Sequence, residues 1–398
     1  LVQKRKGIIM KWPLMGETIT FTDRLKMAHF ALTAKKFTFG EKVKQFEKEW
    51  STWLGAKHSL YVSSGSTANF LLVAAVMELY GLKRGDKVLL PACTWMTNVA
   101  PIMQLGLEPV FCDINLDNFS FDLEDAHKIS KKHDIKMIFI THLLGFSADN
   151  EGLKRLFPNA LFIDDVCESH GCTGPDGIKR GADSLGGTFS FYFGHHMSTV
   201  EGGMISTNNT DLYDLMKIKR SHGMARESIR YDDYAQLYPD IDRQFLFVTD
   251  GYNFRNHEIC AVLGISQLKR LDSMIEIRNR NHYLFTKIID KYPKLFYNIK
   301  NAHTNSSFCL PFICKSKEVM LAMKKVFKDG EIEYRPVVAG NLLSQPFLKD
   351  YKIETSKKQT NADLVNSQGV YIGNNHFVTV QDMEYLEKVV EDINEIFR

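Results

Sequence analysis

The chain has no apolar run near the ~18 residues expected of a membrane span, and its start lacks the charged, apolar, small-residue order of a signal peptide. No membrane association is expected, and a cytoplasmic location follows by default. Excess charge is also missing. Fifty Lys and Arg against 47 Asp and Glu leave a formal net charge of +3 over 398 residues, no footprint for nucleic acid or an acidic membrane. The short basic start Lys4-Arg5-Lys6 reads as a solvated tail. Residues before Met10 are set aside from the fold as an upstream extension or an added segment. Seven cysteines, Cys93, Cys112, Cys167, Cys172, Cys260, Cys309 and Cys314, include no Cys-x-x-Cys pair. Reduced, buried thiols fit this better than a disulfide or thiolate–metal framework. No internal repeat or low-complexity segment is visible.

One absence is local. Residues 186–203 read Gly-Gly-Thr-Phe-Ser-Phe-Tyr-Phe-Gly-His-His-Met-Ser-Thr-Val-Glu-Gly-Gly and contain no lysine. They carry His195, which titrates near neutral pH and can move a proton. A satisfied histidine in a turn is the bland alternative, and His196 could serve only to shape that turn.

What is present suits two or three domains at ~100–200 residues each. Residues 20–54 show helical spacing, with Val43, Phe46, Trp50 and Leu54 on one face after a break at Phe39-Gly40. Strand-like runs recur at Ser59–Val62, Val88–Leu90, Pro109–Cys112, Met137–Ile140, Leu161–Ile163 and Met204–Thr207, with helical segments between most of them. This alternation predicts an α/β fold: a mostly parallel sheet with helices on both faces. A helix is expected over Asp211–Lys219, and a long one from Gly251 to about Arg280. Beyond that, shorter elements predict a smaller C-terminal α+β domain. The expected division is an N-terminal extension at 1–20, a large domain at 21–270 and a small one at 271–398. Residues 226–250, rich in Tyr, Asp and Arg without clear periodicity, read as a long excursion able to act as a lid or dimer arm.

Ligands collect at the carboxyl ends of such strands, and several polar motifs fall there. Ser63-Ser64-Gly65-Ser66-Thr67-Ala68-Asn69 joins a strand to an apolar helix, which makes either an anion cradle of backbone N–H groups or an ordinary helix cap. It is not a Walker loop, because no Gly-Lys-Ser/Thr follows. Trp95 stands just past a strand, placed to stack on a flat heteroaromatic ring or to fill the core. Asp164, Asp165 and Glu168 follow another apolar strand. Burying three carboxylates calls for a cationic partner. A metal held by these carboxylates with His170, His195 and His196 is the rival account, but no spacing matches a known ligand motif, and no metal is expected. The basic turn Arg220–Arg226 is either a solvated loop or a contact for a substrate phosphate or carboxylate.

Together, Ser63–Asn69, Trp95, Asp165–Glu168, Ser190, His195–Gly203 and Gly251-Tyr-Asn-Phe-Arg255 resemble the DegT-type family of sugar-nucleotide aminotransferases, from about Phe37 to the C-terminus. The likeness extends to its lysine-less branch, the 3-dehydratases of nucleotide-linked 4-keto-6-deoxy sugars. Phe39-Gly40-Glu41, Tyr192–His196, Arg220-x-His222-Gly223, Arg335–Asn341 and Gly373-Asn374-Asn375 carry that part of it. The resemblance implies a fold-type-I pyridoxal-phosphate transferase and a homodimer with shared sites. It implies that Gly65, Ser66 and Ser190 hold the cofactor phosphate, with Asn253 reaching the phosphate in the neighbouring subunit. Trp95 would stack on the pyridine ring, Asp165 would pair with its protonated nitrogen, and Glu168 would contact the ring hydroxyl. His222, Arg226, Arg255 and Arg335 are carried as candidate substrate contacts.

In the aminotransferases a lysine both anchors the cofactor and moves a proton; with His195 in its place only the proton transfer remains. The resemblance therefore implies non-covalent pyridoxal or pyridoxamine phosphate, L-glutamate as amino donor, and loss of the C3 hydroxyl from a sugar nucleotide, GDP-linked by preference. A CDP-sugar 3-dehydrase with an iron–sulfur cluster would need four cysteine ligands. Only Cys260, Cys309 and Cys314 follow His195. A third reading, a non-catalytic cofactor- or sugar-nucleotide-binding paralogue, leaves the retained Asp165, Trp95 and Ser190 without a purpose.

Overall fold

The computed structural model describes residues 11–299, 302–351, 353–356 and 358–398; the basic run Lys4–Lys6 lies outside them. Two helices, α1 (Phe21–Thr33) and α2 (Glu41–Leu54), lead into the first half of the large domain. There β1 (His58–Val62), α3 (Gly65–Tyr80), β2 (Lys87–Pro91), α4 (Met96–Gln104), β3 (Glu108–Cys112), α5 (Leu123–Ser130) and β4 (Ile135–Thr141) alternate. Then come α6 (Asn150–Leu156), β5 (Leu161–Asp165), β6 (Gly186–Ser190), β7 (Gly203–Thr207), α7 (Thr210–Arg220), α8 (Tyr231–Leu237), α9 (Glu258–Leu268) and α10 (Leu271–Ile289). The remainder holds β8 (Cys309–Ile313), α11 (Lys317–Asp329), β9 (Tyr334–Pro336), β10 (Glu354–Thr355), α12 (Thr360–Gln368), β11 (Gly369–Gly373) and α13 (Val380–Ile396).

The main sheet has the order β1-β7-β6-β5-β4-β2-β3-β10. All its pairings are parallel except those of β7 with β1 and β6. From Met137 onward β4, and the whole of β6, are apolar or small and buried because helices cover both faces. On one face α3 and α4 pack Leu71, Leu72, Val76 and Ile102 against the sheet. On the other, α2 sets Phe46 and Trp50 against Phe189 and Phe191.

The helix expected from Gly251 to about Arg280 is instead two, α9 and α10, and the second runs on to Ile289. The break falls at Arg270, whose guanidinium turns in to Asp23 and donates to the Thr18 carbonyl at 2.8 Å. Apolar spacing runs through this corner without a proline or glycine, so no local signal marked it. The excursion at 226–250 holds α8 and short turns. It is pinned by Ser228 donating to Asp214 at 2.6 Å, while Leu237, Ile241, Phe245 and Phe247 stay exposed.

In the C-terminal part, β8-β11-β9 form an antiparallel sheet over α10, α11 and α13. Trp12, from the segment set apart as an extension, is buried in this core, and its indole donates to the Gly373 carbonyl at 2.9 Å. From here the chain returns to the main sheet: Leu342 and Leu348 join its core and β10 pairs with β3.

Candidate active site

A cavity of about 390 Å³ lies across the carboxyl ends of β1, β2, β4, β5 and β6. Its floor begins at the β1–α3 turn. Ser64 caps α3 by accepting from the Thr67 N–H at 3.1 Å, and Thr67 returns a bond to the Ser64 N–H at 3.0 Å. The cap and the anion cradle thus coexist, because the N–H groups of Gly65 and Ser66 belong to the first turn and have no intrahelical acceptor. A Cβ on Gly65 would stand 2.6 Å from the Ser190 Cβ. Glycine therefore lets the helix start and the end of β6 converge on one spot.

Asp165 ends β5 on the cavity wall, buried to 4 % exposure. Its Oδ2 accepts from the Asn69 and Asn98 side-chain amides, each at 2.8 Å, and its Oδ1 from the Cys167 N–H at 2.9 Å. No cation pairs with it among the described residues. Its neighbour Asp164 differs, with His142 at 3.7 Å and Arg180 acting on it from the protein side. Of the carboxylates expected to need a cation, Asp164 finds its own within the chain, and Asp165 presents a charge to the cavity.

Glu168 follows in the turn after β5, and its carboxylate accepts from the Leu144 N–H at 3.0 Å. Burial, opposed by that bond and assisted by Asp165, lifts its carboxyl to about 7. His195 sits in the loop after β6 and lines the same cavity. Burial lowers its imidazole to about 4, with Asp165 pulling the other way, and its Nδ1 has no hydrogen-bond partner. A neutral imidazole on the cavity wall is a proton acceptor. His196 points elsewhere: its Nε2 lies 3.1 Å from the Ser306 carbonyl in a buried anchor between the domains.

The cavity thus brings together Gly65, Ser66, Trp95, Asp165, Glu168, Ser190, His195 and Arg335. Trp95 stands on its rim, 53 % exposed in the single chain. Asn253, His222, Arg226 and Arg255 are not in its lining. Arg255 donates to Asn253 at 3.0 Å and lies 3.2 Å from His222, and Arg226 keeps to Glu227 at 3.8 Å. Sequence reasoning missed the role of Asn69 and Asn98, which orient Asp165; their positions within the first five residues of α3 and α4 were the available signal. It also missed Met15, Phe308 and Tyr371, which close the outer side. Among the described residues, no lysine lines the cavity.

This donor set suits a ring with a phosphate at one end and a protonated nitrogen at the other, held without a covalent link. The sheet order, its one reversed strand and a cavity across the strand ends are those of the fold-type-I pyridoxal-phosphate-dependent transferases. The chain belongs to the DegT/DnrJ/EryC1/StrS aminotransferase family, whose match spans residues 20–393. It is 32 % identical over 397 residues to the GDP-4-keto-6-deoxy-D-mannose 3-dehydratase of Yersinia pseudotuberculosis, covering 97 % of this chain and all of that one. A solved GDP-4-keto-6-deoxymannose-3-dehydratase, a histidine-to-asparagine variant with bound GDP-perosamine, superposes with a TM-score of 0.88 at 29 % identity, over 95 % of this chain and 100 % of that one. Another, with a trapped PLP-glutamate geminal diamine, gives 0.86 at 30 % identity, over 95 % of this chain and 100 % of that one. Among the described residues no helix is long and apolar enough to cross a membrane, and no group of three His, Cys, Asp or Glu could hold a metal ion.

Proposed function

We propose that the chain binds pyridoxal or pyridoxamine phosphate non-covalently, takes an amino group from L-glutamate, and dehydrates a GDP-linked 4-keto-6-deoxy sugar at C3. The observation that carries this reading is His195, its imidazole pushed to the neutral form by burial, on the same cavity wall as Asp165 and with no lysine in that lining among the described residues. The relatives named above support the cofactor, the donor and the GDP-sugar.

In its amine form the cofactor would supply an electron sink joined to sugar C4, so that the C3 hydroxyl can leave. The α3 N-terminus and the Ser190 hydroxyl would hold its phosphate, and Trp95 would cover one face of the ring. Asp165, oriented by Asn69 and Asn98, would keep the ring nitrogen protonated, and Glu168 would meet the ring hydroxyl. His195 would accept a proton from the cofactor's C4′ carbon and deliver it to the departing C3 oxygen. Such acid–base help is typically worth ~10²- to 10⁴-fold. With no lysine in the cavity lining among the described residues to capture the cofactor, hydrolysis would release the amino group as ammonia.

The assembly we infer is a homodimer with shared sites. Asn253, His222 and Arg255, bonded to one another off their own chain's cavity, would serve the partner's, and the exposed Phe245 and Phe247 offer apolar contact.

The test is incubation with pyridoxal phosphate, glutamate and GDP-4-keto-6-deoxymannose. The expected products are 2-oxoglutarate, ammonia and a 3-deoxy sugar; a stable amino sugar would sink the dehydratase reading. His195→Lys should restore a covalent cofactor link, seen as a shifted absorbance band, and an unchanged spectrum would count against His195 facing the cofactor.

A further inference from the structure

Behind His195 lies a second, much smaller cavity of about 20 Å³, lined by Met15, Gly194, His195, Arg278, Cys309 and Asn375 among others. That is room for about one water. Arg278, on α10, is 3 % exposed. It donates through Nη1 to the Phe308 carbonyl at 3.0 Å and to the Asn374 carbonyl, while its Nε has no partner. No carboxylate pairs with it among the described residues. A buried guanidinium without a counter-charge is costly and calls for an explanation. Two carbonyls could be clamped by a neutral donor.

His195 lies between opposed charges. Asp165 faces it from the end of β5 and favours its protonated form; Arg278 faces it from α10 and opposes that form. The rings of His170 and His196 beside it are themselves held uncharged by burial. Glu168, Cys167, Tyr371 and Arg335 share the main cavity with it, and Cys309 the small one.

We propose that Arg278 is a positioning residue for proton transfer: its unpaired guanidinium, sharing a small cavity with His195, works with burial against the pull of Asp165 and so favours the neutral, proton-accepting form of that imidazole. The inference rests on His195 being the proton carrier, as proposed above, but its test reads the imidazole itself.

The experiment is an NMR titration of His195 in the full-length, histidine-labelled protein without added cofactor, comparing wild type with Arg278→Gln and Arg278→Lys. Glutamine keeps a donor for the carbonyls and removes the charge, so the His195 midpoint should rise by about one pH unit or more. Lysine keeps the charge and should leave the midpoint near that of wild type. In the holoenzyme, the acid limb of 3-deoxy-sugar formation should shift upward with the midpoint in Arg278→Gln. An unmoved midpoint in folded Arg278→Gln overturns the proposal. If that variant does not fold, Arg278→Met decides, since its unbranched side chain fills the space of the arginine stem and removes the charge. A raised midpoint there supports the proposal and an unmoved one overturns it. A raised midpoint in a protein that forms no 3-deoxy sugar would leave this inference standing and remove the dehydratase reading.

Discussion

The inner and outer walls of the cavity are built at different ranges along the chain. The inner wall consists of strand ends and the turns directly after them: Gly65 and Ser66 after β1, Trp95 after β2, Asp165 closing β5 and Ser190 closing β6. The outer wall gathers Met15 from near the start, Phe308 from the approach to β8, Arg335 from β9 and Tyr371 from β11. Inner polar groups are locked by the protein's own bonds, as Asp165 is by Asn69 and Asn98. Arg335, by contrast, is exposed at the mouth, with Tyr371 interacting with it. The rigid wall suits a resident cofactor, and the open one suits substrates that come and go.

The largest expected effect comes from breaking the inner wall. Asp165→Asn keeps an oxygen for the two amide donors while removing the negative charge and the acceptor of the Cys167 N–H, so the fold should survive with a modest fall in melting temperature. Formation of the 3-deoxy sugar should fall roughly 10²- to 10³-fold, the range for losing a preorganised electrostatic partner. Full activity in this variant would mean that the inner wall does not serve the cofactor's ring nitrogen.

A smaller and different loss is expected on the outer wall. Arg335→Gln should raise KM for the sugar nucleotide or for glutamate by about tenfold, as for one charge-assisted hydrogen bond, with kcat nearly unchanged. Retention of the cofactor through dialysis should match wild type. A variant that released cofactor instead would erase the distinction between the walls.

The same contrast explains what the sequence disclosed. β1–α3 was legible because strand pattern, serine cap and apolar helix follow one another without interruption, and the Asp165 and Ser190 positions came from equally local motifs. Met15 was not legible: it reaches the cavity because Trp12 is buried in the small-domain core and the intervening backbone passes close to Gly373. Nothing within the first twenty residues encodes that contact. Tyr371 and Arg278 looked like any strand tyrosine and helix arginine, since their meaning depends on which neighbours lack a charge. The Arg270 corner escaped notice for a related reason, as its partners Thr18 and Asp23 lie at the other end of the large domain's sequence.

Glu168 stands where the walls meet and gives the smallest of these effects, one confined to a pH window. Its side chain is partly exposed to the cavity, but its carboxyl is enclosed and lifted to about 7 from an ordinary value of 4.5. The folded chain therefore binds this proton more tightly than the unfolded chain does, so stability declines as pH rises from the unfolded value through the folded one. Above that window the full cost of a buried charge applies, on the order of 1–2 kcal/mol once access to cavity water is allowed for. Glu168→Gln keeps an oxygen for the Leu144 N–H and never ionises. It should melt about 2 °C or more above wild type near pH 8 and level with it near pH 5. An equal difference at both pH values would trace the gain to packing, whereas a gain confined to alkaline pH isolates the buried charge that wild type tolerates at this junction.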